Sequence, residues 1–161
     1  MTKVEFTSIE RLCSINFGSY DANPLYYAHH LYIGGSEVTD LVIPESVTSI
    51  GSYAFSGFTT LASIIFTNNV TTIGNEAFRG CSGLTSITIP ESITTIGYEA
   101  FLGCTGLNSV TVAWKTPIKL NSSYAFPNAD NTTLYVPIGT MSAYKSTGYW
   151  KNFKDIVEII E

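Results

Sequence analysis

Three segments of the chain, IGSYAFSGFTTLASIIF, IGNEAFRGCSGLTSITI and IGYEAFLGCTGLNSVTV, carry one pattern and begin at Ile50, Ile73 and Ile96, a period of 23 residues. A fixed period of this size restricts the chain to a stack of similar coils. One coil cannot bury its own apolar side, so each closes its core against the next. Residues at the same phase then fall into columns, and a residue's phase says more about its surroundings than its chain neighbours do.

Each unit holds a version of Leu-x-x-Ile-x-Ile: Val38/Leu41/Ile43, Leu61/Ile64/Phe66, Leu84/Ile87/Ile89 and Leu107/Val110/Val112. The last two apolar positions alternate with period two, as in a strand with one buried face. The pattern predicts an α/β solenoid, a right-handed stack with one parallel β-sheet, short helical or irregular turns and divergent caps. Its inner column is Leu41, Ile64, Ile87 and Val110, and Leu134-Tyr135-Val136-Pro137 adds a degenerate fifth rung. Pro44 and Pro90 end strands, because proline cannot donate to a ladder.

A second apolar pair, Val47/Ile50 and its copies, leads into Gly51, Gly74 and Gly97, read as corners that use glycine's backbone freedom. Phe55, Phe78 and Phe101 are expected to stack inward, with Ala125-Phe126 a further copy displaced by an insertion from Trp114 to Asn121. Gly57, Gly80 and Gly103 fit left-handed ends of the turns. The chain reads as one domain, 1–161, with repeats at 38–112 and a degenerate repeat at 113–136. Residues 1–37 are an N-terminal cap or a divergent repeat, with a helix start at Asn23-Pro24 and a hairpin at Leu31–Gly35. Residues 137–161 are short helices and a final strand that close the other end.

Only 13% of the residues are charged, about half the roughly 25% usual for soluble domains. Serine and threonine must therefore cover much of the surface. A net charge of −5 argues against nucleic acid, which calls for a basic footprint. No stretch approaches the ~18 apolar residues of a membrane span. The start, MTKVEF, carries no apolar signal region, which leaves a cytosolic protein or a chain trimmed from an exported one. Cys81 and Cys104 share a phase with Phe58, so that column is an apolar one. Two buried thiols are expected rather than a bridge, and Cys13 is expected in the core.

The unit Ile-Gly-x-x-Ala-Phe-x-Gly-Cys-x-x-Leu-x-x-Ile-x-Ile-Pro resembles the BspA-type leucine-rich repeats of bacterial surface proteins. The likeness is strong over 38–112 and looser over the tail TLYVPIGTMSAYKSTGYWKNFKDIVEI. The middle copy departs at Thr67-Asn68-Asn69, where its neighbours read Pro-Glu-Ser. The resemblance implies a cell-surface or secreted location and a role in adhesion or protein recognition; the expected partner is a protein or glycan of a host or neighbouring cell. It carries over no catalytic residue and no cofactor.

The residues offer little catalytic chemistry of their own. Glu76 and Glu99 share a phase and should stack, but they read as a solvated edge, since calcium needs six to eight oxygens. His29 and His30 face opposite ways on an extended chain, so they hold no metal together. No Gly-x-Ser-x-Gly elbow is present. The sequons at Asn121 and Asn131 matter only in a eukaryotic secretory chain. What remains is the outward face of the strands, in two columns. One is Asp40, Ser63, Ser86 and Ser109, with Thr133 beyond. The other is Val42, Ile65, Thr88, Thr111 and Tyr135. An apolar centre bordered by hydroxyls and an aromatic ring is how interfaces are built, while Val, Ile and Thr on this face equally fit a sheet that simply packs well. The expected function is a non-catalytic interaction module using this face. The alternatives are a structural spacer of a larger surface protein and, less favoured, a carbohydrate-active enzyme working at an open face or at the Trp114 insertion.

Overall fold

The computed structural model describes residues 3–120 and 122–160; the Asn121 sequon and the end of the Trp114 insertion lie outside them. Ahead of the repeats come β1 (Val4–Phe6), α1 (Ile9–Ser14), α2 (Leu25–Ala28), β2 (Leu31–Ile33) and β3 (Ser36–Val38). The hairpin expected at Leu31–Gly35 forms, β2 pairing antiparallel with β3. Gly34 and Gly35 take φ of 58° and 81°, which a two-residue hairpin turn of this hand requires. The helix expected at Asn23-Pro24 also forms. The buried Asn23 amide accepts from the Leu25 N–H and donates to the Tyr53 and Ala54 carbonyls at 2.8 and 2.9 Å. The Gly51 N–H reaches the Cys13 carbonyl at 2.8 Å, just as Gly74 and Gly97 reach Ile50 and Ile73 one repeat back. Backbone bonds of the kind that join successive coils thus tie residues 3–38 to the first repeat.

The repeats contain β4 (Asp40–Val42), β5 (Ser49–Ile50), β6 (Ser63–Ile65), β7 (Thr72–Ile73), β8 (Ser86–Ile89), β9 (Thr95–Ile96) and β10 (Ser109–Val112). They are followed by β11 (Thr133–Pro137), α3 (Met141–Ser146) and β12 (Asp155–Ile159). The expected register holds where strands pair: Leu41 lies beside Ile64, and Ile87, Val110, Leu134 and Ile156 lie side by side.

The single sheet, however, does not. One ladder joins β4 and β6, and a second joins β8, β10, β11 and β12. β6 and β8 are adjacent without forming a ladder, so Ile64 and Ile87 are not hydrogen-bonded neighbours. The break coincides with Phe66, a ring where the other units carry Ile43, Ile89 and Val112. β6 stops before it, and the ring packs edge-on against Phe78 at 6.0 Å. β12 makes a sixth rung where five were expected, because Ile156 continues the inner column. A further parallel sheet, β5–β7–β9, runs through the second member of each apolar pair, just before the glycines read as corners. Its two-residue Ser-Ile and Thr-Ile strands pair in register because the same period brings them together.

The turns between the two faces are irregular rather than helical, and their amides bond to the next coil. Tyr53, Phe55 and Gly57 donate to Asn75, Ala77 and Arg79, and Glu76, Phe78 and Gly80 to Tyr98, Ala100 and Leu102, at 2.7–2.9 Å. Gly51, Gly74 and Gly97 are required for space, not for backbone freedom. None of them has a positive φ, but a Cβ would come within 2.0, 2.6 and 2.5 Å of the backbone of the preceding coil. Gly57, Gly80 and Gly103 do adopt the left-handed conformation, at φ 81°, 74° and 76°.

Inside, the phenylalanines form the predicted column. Phe55, Phe78, Phe101 and Phe126 stack with centroids 5.3, 5.5 and 5.0 Å apart and planes within 9° of parallel. Phe126 therefore completes the series despite the insertion, and Trp150 and Phe153 extend the aromatic packing beyond it. Trp114 is buried, its indole N–H on the Ile93 carbonyl at 2.8 Å, and its own carbonyl accepts the Tyr144 hydroxyl at 2.8 Å. Trp114 is thus locked into the core, and the described part of the insertion presents no open aromatic platform. All three cysteines are free and buried. Cys81 and Cys104 donate to the Phe55 and Phe78 carbonyls. Burial first, and then the adjacent Cys104, pushes the Cys81 thiol well above its ordinary value, and burial pushes Cys13 up to about 12.

Phe78 has rings on both faces, so Phe78→Ala opens a cavity two neighbours cannot close. The expected cost is about 3–5 kcal/mol, or roughly 6–20 °C of melting temperature for a domain of this size. A melt within about two degrees of wild type would show that the column is not a main source of stability.

Candidate interaction surface

On the strand face the two predicted columns assemble wherever the ladders run. Asp40 lies beside Ser63, and Ser86, Ser109, Thr133 and Asp155 line up in register; Val42 lies beside Ile65, and Thr88, Thr111, Tyr135 and Val157 follow suit. The gap between β6 and β8 separates Ser63 from Ser86 and Ile65 from Thr88 as ladder partners. Val42 and Ile65 are 55% and 58% exposed. Asp40 is tied down: its carboxylate accepts the Ser63 hydroxyl at 2.5 Å and the Thr39 hydroxyl at 3.1 Å. The sixth rung adds Asp155 and the half-exposed Val157 and Ile159 at the far end, residues the sequence reading had assigned to a closing strand.

The carboxylates at Glu76 and Glu99 do not form a solvated edge. Their side chains are only 11% and 17% exposed, and one guanidinium nitrogen of Arg79 lies 2.6 Å from Glu76 and 3.1 Å from Glu99. Arg79 is the one lysine or arginine between Arg11 and Lys115, and it stands between the stacked acids. The Tyr53 hydroxyl donates to the other Glu76 oxygen at 2.8 Å, and that hydrogen bond is the main reason its phenol sits above the ordinary value. Arg79 also lies over the Tyr20 ring, 4.8 Å from its centroid. Tyr53, Glu76 and Glu99, at one phase, hold φ of 59°, 52° and 53°. Left-handed backbone costs a non-glycine residue on the order of 1 kcal/mol, and the ion pairs and hydrogen bond these side chains make across coils offset it. The signal was present in the sequence as Glu-x-x-Arg, a helix-like spacing that here works through a turn.

The histidines have separate partners. His29 Nδ1 lies 3.1 Å from the Gly57 carbonyl, so it carries the proton, and His30 Nδ1 lies 2.6 Å from Glu37. Among the described residues no group of three or more His, Cys, Asp or Glu is placed to hold a metal, and no helix is long and apolar enough to cross a membrane. A feature missed from sequence is a set of exposed tyrosines off the strands: Tyr20, Tyr26, Tyr27, Tyr98 and Tyr124. They come from different phases and from outside the repeats, so no column announces them.

In comparison with known proteins, the BspA type leucine rich repeat region matches residues 30–151 in six copies. No curated protein matches significantly. Among solved structures, a leucine-rich repeat protein from Eubacterium ventriosum ATCC 27560 is similar over 78% of this chain and 34% of its own, with a TM-score of 0.54 and 26% identity. The chain thus spans about a third of that relative.

If Arg79 holds the acid pair together, Arg79→Ala should lower stability by about 1–3 kcal/mol, because Glu76 then stays largely buried beside a like charge. Adding Glu76→Gln should recover part of the loss in a double-mutant cycle by thermal or urea melts. Strict additivity of the two substitutions would show that the pair is not coupled.

Proposed function

The chain belongs to the BspA-type leucine-rich repeat family, and from that premise we propose that it is a non-catalytic, cell-surface or secreted interaction module that binds a protein partner on its strand face. The observation that carries the reading is the pair Val42 and Ile65. Two adjacent aliphatics, each more than half exposed, sit on a face whose other positions are mostly Ser and Thr. Interface centres are depleted of charge and ringed by polar groups, and this face has that composition. Tyr135 adds an amphipathic ring of the kind that anchors partners. The family supports protein binding; the surface location, the absence of catalysis and the partner's source are parts of the proposal.

We also read the stack as right-handed, since strand–crossover–strand connections within one sheet are right-handed in about 98% of cases. We read the described residues 3–37 as closing one end and 137–160, with β12 as the last rung, as closing the other, because a repeat end left open exposes core and strand edge. The spacer reading shares the fold but leaves Val42 and Ile65 without a role.

The test is a binding array of matrix proteins and glycans, read with wild type, Ile65→Lys and Tyr135→Ser, each checked by its melt. Binding to a protein that Ile65→Lys weakens about tenfold or more, the cost of one core contact in an interface, supports the strand face. Equal affinity for all three proteins would move the site off this face, and no binding by the wild type would favour the spacer.

A further inference from the structure

Away from the strand face, Tyr98 and Tyr124 meet edge to face with centroids 6.0 Å apart, 46% and 53% exposed. Tyr124 borders an open groove of about 320 Å³ whose other walls are Phe126, Pro127, Ala129, Asp130 and Asn152. The floor is rigid, because Phe126 is stacked on Phe101 and packed against Trp150 and Phe153. The rim carries one exposed carboxylate, Asp130, and one exposed carboxamide, Asn152. Asp130 accepts the Asn131 amide at 3.2 Å and forms no ion pair among the described residues.

We infer that this groove binds a neutral saccharide unit of a glycan, with a C–H face of the sugar on the Tyr124 ring and neighbouring hydroxyls on Asp130 and Asn152. A pyranose has an apolar face and a rim of hydroxyls, so it needs both kinds of contact at once. The negative face of an aromatic ring attracts polarised C–H groups. A carboxylate accepts two O–H donors, while a carboxamide both donates and accepts. A small-molecule site is this mixture: a mostly apolar concavity with a few polar groups that fix orientation. A groove of about 320 Å³ lies at the small end of the range of clefts that hold small molecules, the scale of a sugar unit. Charge narrows the class further. The one charged side chain lining the groove is the carboxylate of Asp130, which repels an acidic sugar placed against it, so the ligand is neutral. A ring already held by its neighbours loses little freedom on binding. The groove is a separate site from the strand face, and the inference stands without it.

The experiment is affinity electrophoresis of the full chain in gels containing a soluble β-1,3-glucan, a galactomannan or an arabinoxylan, with heparin as the anionic control. At least one neutral polymer should retard the wild type. Tyr124→Ala and Asp130→Ala should each weaken that retardation roughly five- to tenfold, the scale of one lost ring contact or hydrogen bond. Ile65→Lys should leave it unchanged. If Tyr124→Ala lowers the melting temperature, Asp130→Ala decides alone. Retardation by heparin only, by no polymer, or equally in the groove variants and wild type would overturn the inference. So would loss of retardation in Ile65→Lys, or a matrix protein that binds through Tyr124 while no polysaccharide does.

Discussion

The structure depends on backbone hydrogen bonds that run from one coil to the next, in the turns as much as in the strands. Tyr53, Phe55 and Gly57 reach Asn75, Ala77 and Arg79, and the same pattern repeats a coil later. Such bonds hold neighbouring chains about 4.8 Å apart, and the phenylalanine centroids follow at 5.0–5.5 Å. With spacing fixed by the backbone, like must sit on like. That favours rings, thiols and branched aliphatics, which stack well. It is unfavourable for Glu76 and Glu99, and Arg79 between them is the physical answer. The glycines at the head of each repeat answer a different demand: the coils approach so closely there that no Cβ fits.

The interior and the strand register were legible in the sequence because a 23-residue period converts directly into columns. Phe126 could be placed as the fourth ring from an Ala-Phe dipeptide alone, although an insertion had moved it off the period. What the sequence did not disclose depends on contacts between phases or on local geometry. β5, β7 and β9 are two residues each, too short for alternation to show. The break between β6 and β8 accompanies one oversized residue, Phe66. β12 lies beyond a segment without the repeat motif, so its pairing with β11 was hidden. The ion cluster needed the turn's shape: Glu76 and Glu99, both in left-handed backbone, meet at Arg79. The groove at Tyr124 draws its walls from residues 124–130 and 152, joined by the fold and not by the period.

The same constraint shapes function. A stack whose backbone meets its own hydrogen-bonding needs asks little of its outward side chains, and on the strand face these are mostly small, hydroxylated or aliphatic. Charge is confined to the ends of the first column, Asp40 and Asp155, with the Val42–Ile65 pair at one end and Val157 and Ile159 at the other. The turn edge differs, with tyrosines and one satisfied ion cluster. One chain thereby presents two surfaces of unlike chemistry on a common rigid frame.

Hydrogen–deuterium exchange resolved to single amides tests the central claim, that turns and strands are equally bonded between coils. The turn amides of Phe55, Gly57, Phe78 and Gly80 should exchange as slowly as those of Ile87 and Val110, because all are released only when coils separate. Fast exchange of these turn amides alongside protected strands would contradict the account, leaving a sheet that carries the stack and turns that merely connect it.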